Sequence, residues 1–551
     1  MKPAAESTVL SPIDFRLIPP AIGCWVITIV GLAAPSFVAV GLVIGCVLLC
    51  VGFVWRAVVT AVRWPTTAAV VATAGLTAGV GAVLLLRIDV VEHHRLRADV
   101  GHRTTVVLSV TDDPQWLAPN GSRLRIRVSV AFAGRDNNGR PRRIRPADAT
   151  VYASGELRGA WAIVSPGQQL EAVVAVRAPP GHDLTVATLN AASAPKLLDA
   201  GPAYLRASAV MRWRFAQVTQ RALPDEQAAL LPGLVIGDTS GIDDSVREDF
   251  RAASLAHLLA VSGANFALIT GAAIVLVSFV GAGPRITAVV GIAVIIGFAI
   301  VVRPSPSVVR AAGMGIVGVL ALMVSRRSQA MPALGTAIIV ALLWWPSMAL
   351  DAGFAMSVAA SAALIVCGGP CAQWLRGHRV PNGVAQALAM AMIASLATAP
   401  LVAMISGRFS IVGVFANVVV APVVGVISVL GALAAVAASC GAVGEGCAEL
   451  LVRALGPELW WILRCAGMFG SQRWATIPVP AGITGALLVA GLSVAIAGVV
   501  RGLWQHRRGG RPFASPAWRR RFPRRPGYQF RGRPSQRGSR RAGAGHPDPG
   551  G

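Results

Sequence analysis

The stretch "SFVAVGLVIGCVLLCVGFV" (36–54) contains no charged side chain. A helix of this length, rising about 1.5 Å per residue, covers the roughly 30 Å of hydrocarbon in a bilayer. Comparable runs lie near 17–33 and 68–86 and, after a long polar gap, in a cluster from about 255 to 500. Of the 551 residues, 54% are hydrophobic and only 14% charged, against about 25% charged in soluble domains. The composition excludes a soluble globular protein and predicts a polytopic α-helical membrane protein of about 10–12 spans. One run, 410–440, is too long for a single straight helix and is expected to break at Pro422. The first run follows Lys2, Asp14 and Arg16 with no small-residue cleavage site, so it reads as a retained span.

The net charge is +25, but it is unevenly spread. The segment after Arg501 is rich in Arg, Gly and Pro, with Asp548 as its one acid. A segment of that composition is expected to be disordered, binding anionic lipid or nucleic acid. Eight cysteines are scattered, mostly inside apolar runs; Cys367 and Cys371 have no second pair to complete a metal site. Small buried hydrophobes are expected there, with no metal and no cofactor.

Basic residues set the topology. Lys2 and Arg16 precede the first run, Arg56 and Arg63 separate the second from the third, and Arg285, Arg326, Arg327, Arg376 and Arg379 recur at alternate loops. The positive-inside rule then places both termini in the cytoplasm and residues 88–215 outside, after an N-terminal helical part, 1–87. Within 88–215, "RTTVVLSV" (103–110), "SRLRIRVSVAFAG" (122–134), "ATVYASG" (149–155), "QQLEAVVAVRA" (168–178) and "DLTVATL" (183–189) are β-branched runs. "RLRIRVSV" alternates with period two, which puts Arg123, Arg125 and Arg127 on one face. Five short strands between turn signals suit a small OB-like barrel, a fold that binds single-stranded nucleic acid or oligosaccharide. The remainder divides into a helical membrane domain, 216–500, and the tail, 501–551.

Polar groups inside apolar runs carry the chemistry, because each costs free energy in lipid unless it meets a partner, water or a substrate. In "RAASLAHLLAVSGANFALITG" (251–271) these are His257, Ser262 and Asn265. His257 and Asn265 share a helical face if the helix survives Gly263, either as interhelical glue or as a stripe facing a water-filled path. Just upstream, Asp238 sits in a Gly-flanked turn, and Ser245 with Glu248 has capping-box spacing for an interfacial amphipathic helix. "VVRPSPSVVRAAGMG" (301–315) forbids a continuous helix and restarts one, with Ser305 as N-cap and Pro306 at the first position. Arg303 and Arg310 flank that start, forming an anion site or snorkelling at the interface. Asp351 and Asn417 lie in or beside later apolar runs, as cavity lining or as helix-to-helix contacts.

Four ordered blocks, "GLVIGDTSGIDDSVREDFRAASLAHLLAVSGAN", "RPSPSVVRAAGM", "ALDAGFAMSVAASAAL" and "ATAPLVAMISGRFSIVGVFANVVVAPVV", resemble the competence domain of the ComEC family across about 220–440. The resemblance implies an inner-membrane channel that carries one DNA strand into the cytoplasm during natural transformation, preceded by an OB-like domain. It also implies a DNA receptor and a cytoplasmic ATPase as partners, alongside single-stranded DNA and membrane lipid, and allows a homo-oligomer. Two departures stand out. Many members have His where this chain has Asn265, and many carry a metallo-β-lactamase-like domain whose H-x-H-x-D-H pattern does not occur here. The chain is therefore expected not to be an enzyme. With no G-x4-G-K-[ST] present, pulling by ATP hydrolysis falls to a partner. The alternative is a secondary transporter or flippase for a smaller anionic substrate.

Overall fold

The computed structural model describes residues 14–60, 65–117, 123–135, 141–179, 184–259, 261, 263–303, 306–323, 330–410, 412–470 and 476–507. Three helices open the chain: α1 (Ile18–Ala33), α2 (Ser36–Thr60) and α3 (Pro65–Glu92). α2 is apolar all round and turns Phe37, Leu48 and Trp55 outward, as a lipid-facing helix does.

A closed barrel follows, from β1 (Arg103–Val110), β2 (Gln115–Leu117), β3 (Arg123–Arg135), β4 (Pro141–Ser154), helix α4 (Leu157–Ala162), β5 (Gln169–Arg177), β6 (Ala187–Ala191) and β7 (Lys196–Asp199). Five strands form the ring β1-β3-β4-β6-β5, closed by β1 pairing with β5. Only β4 and β6 run parallel. This is the OB connectivity, with α4 between its third and fourth ring strands. The period-two pattern settles the register: Leu124, Ile126, Val128 and Val130 are buried, and the arginines between them point out. Trp161 on α4 is fully buried among them and donates its Nε1–H to the Ser193 carbonyl (3.0 Å). Gly201 marks the exit: its φ is +82°, and a Cβ there would lie 2.3 Å from the Gly167 carbonyl oxygen. The expected 88–215 segment is therefore wider than the barrel, taking in the end of α3 and part of α5 (Ala203–Ala222), whose Phe215 and Val218 join the helical core.

The helical part continues with α6 (Asp225–Ile236), α7 (Asp244–Ala252), α8 (Gly263–Phe279), α9 (Pro284–Val302), α10 (Pro306–Met323), α11 (Ala330–Trp344), α12 (Ala352–Gly377) and α13 (Asn382–Ser406). Strand β8 (Arg408–Ser410) then leads to α14 (Gly413–Ala437), α15 (Gly441–Ala454) and α16 (Gly456–Gly470), and β9 (Thr476–Pro478) pairs with β8 before α17 (Ile483–Arg507). Among the described residues, six helices are long and apolar enough to cross a membrane, and five shorter apolar helices accompany them. The protein is a multi-pass membrane protein with an inserted small barrel.

Three local expectations are corrected. α14 runs unbroken through Pro422. The proline weakens the hydrogen bonds of the preceding turn, and Trp461 Nε1 donates to the Val419 carbonyl there (3.3 Å). α7 begins after Asp243, whose side chain makes no cap bond, and Glu248 pairs with Arg251 and with Arg408 (3.6 Å) in place of a Ser245–Glu248 capping box. Its apolar face meets protein, not lipid: Phe250 is fully buried in the cluster that α6, α14 and α16 build. That burial is worth about 1.5–3 kcal/mol. Finally, the helix does not survive Gly263. His257 lies in a separate 3-10 turn (Ala256–Leu259) and is exposed, while Asn265 in α8 is buried, so the two share no face.

Candidate functional site

The polar residues singled out in the sequence fall into distinct settings. Asn265 is 4% exposed and donates Nδ2–H to the Leu234 carbonyl (3.2 Å), while its Oδ1 accepts from Ser428 Oγ (3.3 Å). The cavity beside them, lined by Leu234, Leu258, Asn265, Val424, Ile427 and Ser428, measures about 10 Å³. That is at the lower limit for one water, so among the described residues Asn265 borders a closed gap and not a wide cavity. His257 Nδ1 hydrogen-bonds with the Ser254 carbonyl (3.1 Å). Asp351 caps α12, accepting from the Phe354 backbone N–H (2.6 Å). Asn417 on α14 donates to Ser395 Oγ on α13 (3.3 Å). Ser262 and Ser305 lie outside the described residues, as do residues 508–551 of the expected 501–551 tail, whose first seven residues continue helix α17.

Arg310 is different. It stands one turn inside α10 and is 5% exposed. Its Nη1 donates to Ser361 Oγ on α12 (3.0 Å) and touches Met314 Sδ (3.6 Å), and its Nε has no partner. No carboxylate pairs with it among the described residues. The start of α8 comes close, since a Cβ on Gly263 would lie 3.6 Å from Arg310 Nη2. The guanidinium thus lies against the first turn of α8, where a helix start favours negative charge.

A second cluster joins the barrel to the helices. α9 ends at Val302, and Arg303 leaves it with φ +73° and ψ 146°. Arg303 pairs with Asp113 in the turn between β1 and β2. Arg212 of α5, 8% exposed, donates to the carbonyls of Ile236 (2.8 Å) and Val301 (3.1 Å). It also lies 3.7 Å from Asp113 and 3.5 Å from Asp238. Burial pulls the Arg212 pKa down from its usual range, and Asp238 opposes the shift. The other Asp238 oxygen accepts from Ser240 N–H (3.2 Å) and Oγ (2.7 Å), an Asx turn. On the barrel, Arg127 lies 3.7 Å from Asp112, Arg125 donates to Gln115 Oε1 (2.6 Å), and Arg123 sits 4.6 Å over the Tyr152 ring. Burial pushes the Asp112 carboxyl up, and Arg127, Arg125 and Arg303 pull it back. Trp116 is 49% exposed on β2, beside an open groove of about 550 Å³ lined with Gly155, Glu156, Arg158 and Gly159.

Sequence reasoning missed Arg212, Asp112, Asp113, Ser361 and Ser428. "DDP" (112–114) reads as a turn, and Arg212 as one of several arginines on a polar helix; nothing local marks either as a long-range partner.

These features define a polytopic membrane protein whose OB barrel rests on a helix break lined with arginine. Residues 234–504 match the family described as Competence protein, and this part of the chain is a competence domain of the ComEC type. The chain is also similar to ComE operon protein 3 of Bacillus subtilis (strain 168), 26% identical over 212 residues. That match covers 38% of this chain and 26% of the relative, so the chain matches about a quarter of the relative's length. No solved structure matches the chain significantly.

Proposed function

We propose that this protein is the channel through which single-stranded DNA crosses the cytoplasmic (inner) membrane during natural transformation. In this reading the barrel faces outward, both termini are cytoplasmic, and the chain has no catalytic activity of its own. A DNA receptor delivers the strand and a cytoplasmic ATPase pulls it. The barrel offers the strand an arginine face (Arg123, Arg125, Arg127) and an exposed stacking ring, Trp116, the two elements that sequence-tolerant single-strand binding uses.

The observation that carries the reading is Arg310. An arginine at membrane depth costs at least about 2.5 kcal/mol by insertion scales, and among the described residues this one has a hydroxyl and a thioether, and no acid, to offset that. A cargo with one phosphate per nucleotide supplies the missing counter-charge as it passes. Replacing Arg310 by Gln should abolish uptake of labelled single-stranded DNA into proteoliposomes while membrane insertion stays intact. Uptake at the unaltered rate would remove Arg310 from the path. Transport of small organic anions but not DNA by the unaltered protein would favour a transporter of smaller substrates.

A further inference from the structure

At the Asp112–Asp113 turn, Asp113 of the barrel reaches Arg212 of α5 and Arg303 at the end of α9. The base of the turn is fixed on β3, where the Thr111 N–H donates to the Arg127 carbonyl (3.0 Å) and Gln115 pairs opposite Arg125. Arg123, Arg125 and Arg127 stand at alternate positions along β3, about 7 Å apart. The turn therefore lies at the end of that arginine row. Beyond it Asp113 pairs with Arg303, at the break between α9 and α10.

The two helical arginines of this cluster are held differently. Arg212 has two backbone carbonyls and Asp238 as partners besides Asp113. Arg303 has Asp113 as its ion-pair partner among the described residues. The Arg303 side chain is 13% exposed and that of Asp113 41%: a solvated acid covers a nearly buried cation. Arg303 also holds a positive φ that residues with a Cβ adopt only under strain, a feature that collects at ligand clamps and switch regions.

We propose that the Asp112–Asp113 turn is a built-in phosphate surrogate, occupying in the resting protein a phosphodiester-binding site formed by Arg303 and Arg127, from which an incoming strand displaces it. The inference rests on the reading of a nucleic acid as cargo. A carboxylate and a phosphodiester are both monoanions that meet the planar guanidinium fork through oxygens. Because the turn is tethered, it competes at high effective concentration. A lone phosphate loses to it, whereas a strand already held along β3 competes with the same intramolecular advantage. The device keeps the barrel seated on the helix break until a polyanion, and not a small anion, arrives.

The test uses the full chain in nanodiscs of zwitterionic phosphatidylcholine, with a labelled poly-dT oligonucleotide and, separately, inorganic polyphosphate as probes. Asp113→Asn should bind poly-dT several-fold more tightly. One further cation reaching phosphate should also steepen the log–log salt slope by about 0.7. Adding Arg303→Gln to Asp113→Asn should erase both gains. Asp112→Asn, which frees Arg127, should shift both readouts in the same direction and decides the matter if Asp113→Asn fails to fold. Poly-dT binding by the unaltered chain that neither monodisperse Asp variant tightens overturns the surrogate and leaves the cargo reading standing. Failure to bind poly-dT, with polyphosphate binding tightened by Asp113→Asn, upholds the surrogate and overturns the cargo reading. Failure to bind either probe overturns both.

Discussion

Replacing Arg212 by Ala should be among the most destabilising single substitutions in this chain. The side chain is 8% exposed and donates to the last-turn carbonyl of α6 (Ile236, 2.8 Å) and to one at the end of α9 (Val301, 3.1 Å), with Asp113 and Asp238 beside it. A hydrogen bond from a charged donor contributes about 1.5–3 kcal/mol net. Removing one member of a fully buried ionic group costs about 3–5 kcal/mol, an upper bound here because Asp113 and Asp238 are partly solvated while the two carbonyls are left without their charged donor. The two figures describe overlapping interactions and do not add, so the expected loss is about 2–4 kcal/mol, or roughly one and a half to three powers of ten in the folded-to-unfolded ratio. Arg212→Lys should recover part of it, since one ammonium cannot reach two carbonyls and two carboxylates with a planar fork's geometry. Equilibrium unfolding in mixed detergent micelles reads the loss. A cost below about 1 kcal/mol, typical of an exposed pair, would refute the assignment of Arg212 as the joint between barrel and helices.

The isolated barrel, residues 93–201, should fold as β structure and bind single-stranded DNA electrostatically, with a log–log salt slope near −0.7 per phosphate engaged; a helical circular-dichroism spectrum or salt-independent binding would count against it. Asp112 and Asp148 both have carboxyls pushed up by burial, with Arg127 the first opposing charge at each. A folded pKa above the unfolded one means the folded state holds more protons, so the stability these groups contribute is present below the unfolded pKa and lost as pH rises through the folded one. Urea titrations of the barrel should therefore show Asp148→Asn stabilising it at neutral pH more than in mild acid, and the opposite trend would contradict the burial argument. On the proposed channel reading, purified protein should cut neither single- nor double-stranded DNA with Mn²⁺ or Zn²⁺; cleavage abolished by one acid or His substitution would show otherwise.

Where the governing pattern is local, the sequence suffices. β1 falls at 103–110 as its β-branched run predicts, and the alternation in "RLRIRVSV" assigns the faces of β3 residue by residue, because period two leaves no other way to bury Leu124 and Ile126. The α9–α10 break is legible for the same reason, with Pro306 opening α10. Legibility fails where the partner is distant in the chain. Pro422 looks like a breaker until Trp461, 42 positions away from the carbonyl it supports, is in place. His257 and Asn265 share a helical wheel only while Gly263 is ignored. Once α8 starts there, one faces out and the other lies between α6 and α14. Arg212 meets Val301 across 89 residues, a distance that no periodicity encodes.

If the protein is the channel proposed above, the contrast between Arg303 and Arg310 bears on how its polyanionic cargo moves. A conduction path must bind well enough to admit its cargo and weakly enough to release it. If every arginine here were unpaired, successive phosphates would be held by uncompensated charges in low dielectric, and the strand would stall. Instead Arg212 and Arg303 are screened by Asp113 and Asp238, while Arg310 is left with Ser361 and Met314. A phosphate reaching Arg303 must exchange with a carboxylate, which makes both its binding and its release a near-even trade. A phosphate reaching Arg310 displaces no acid among the described residues. The strongest attraction thus lies inside the helical part and the exchangeable one at its barrel side, the order that favours entry over retention at the mouth.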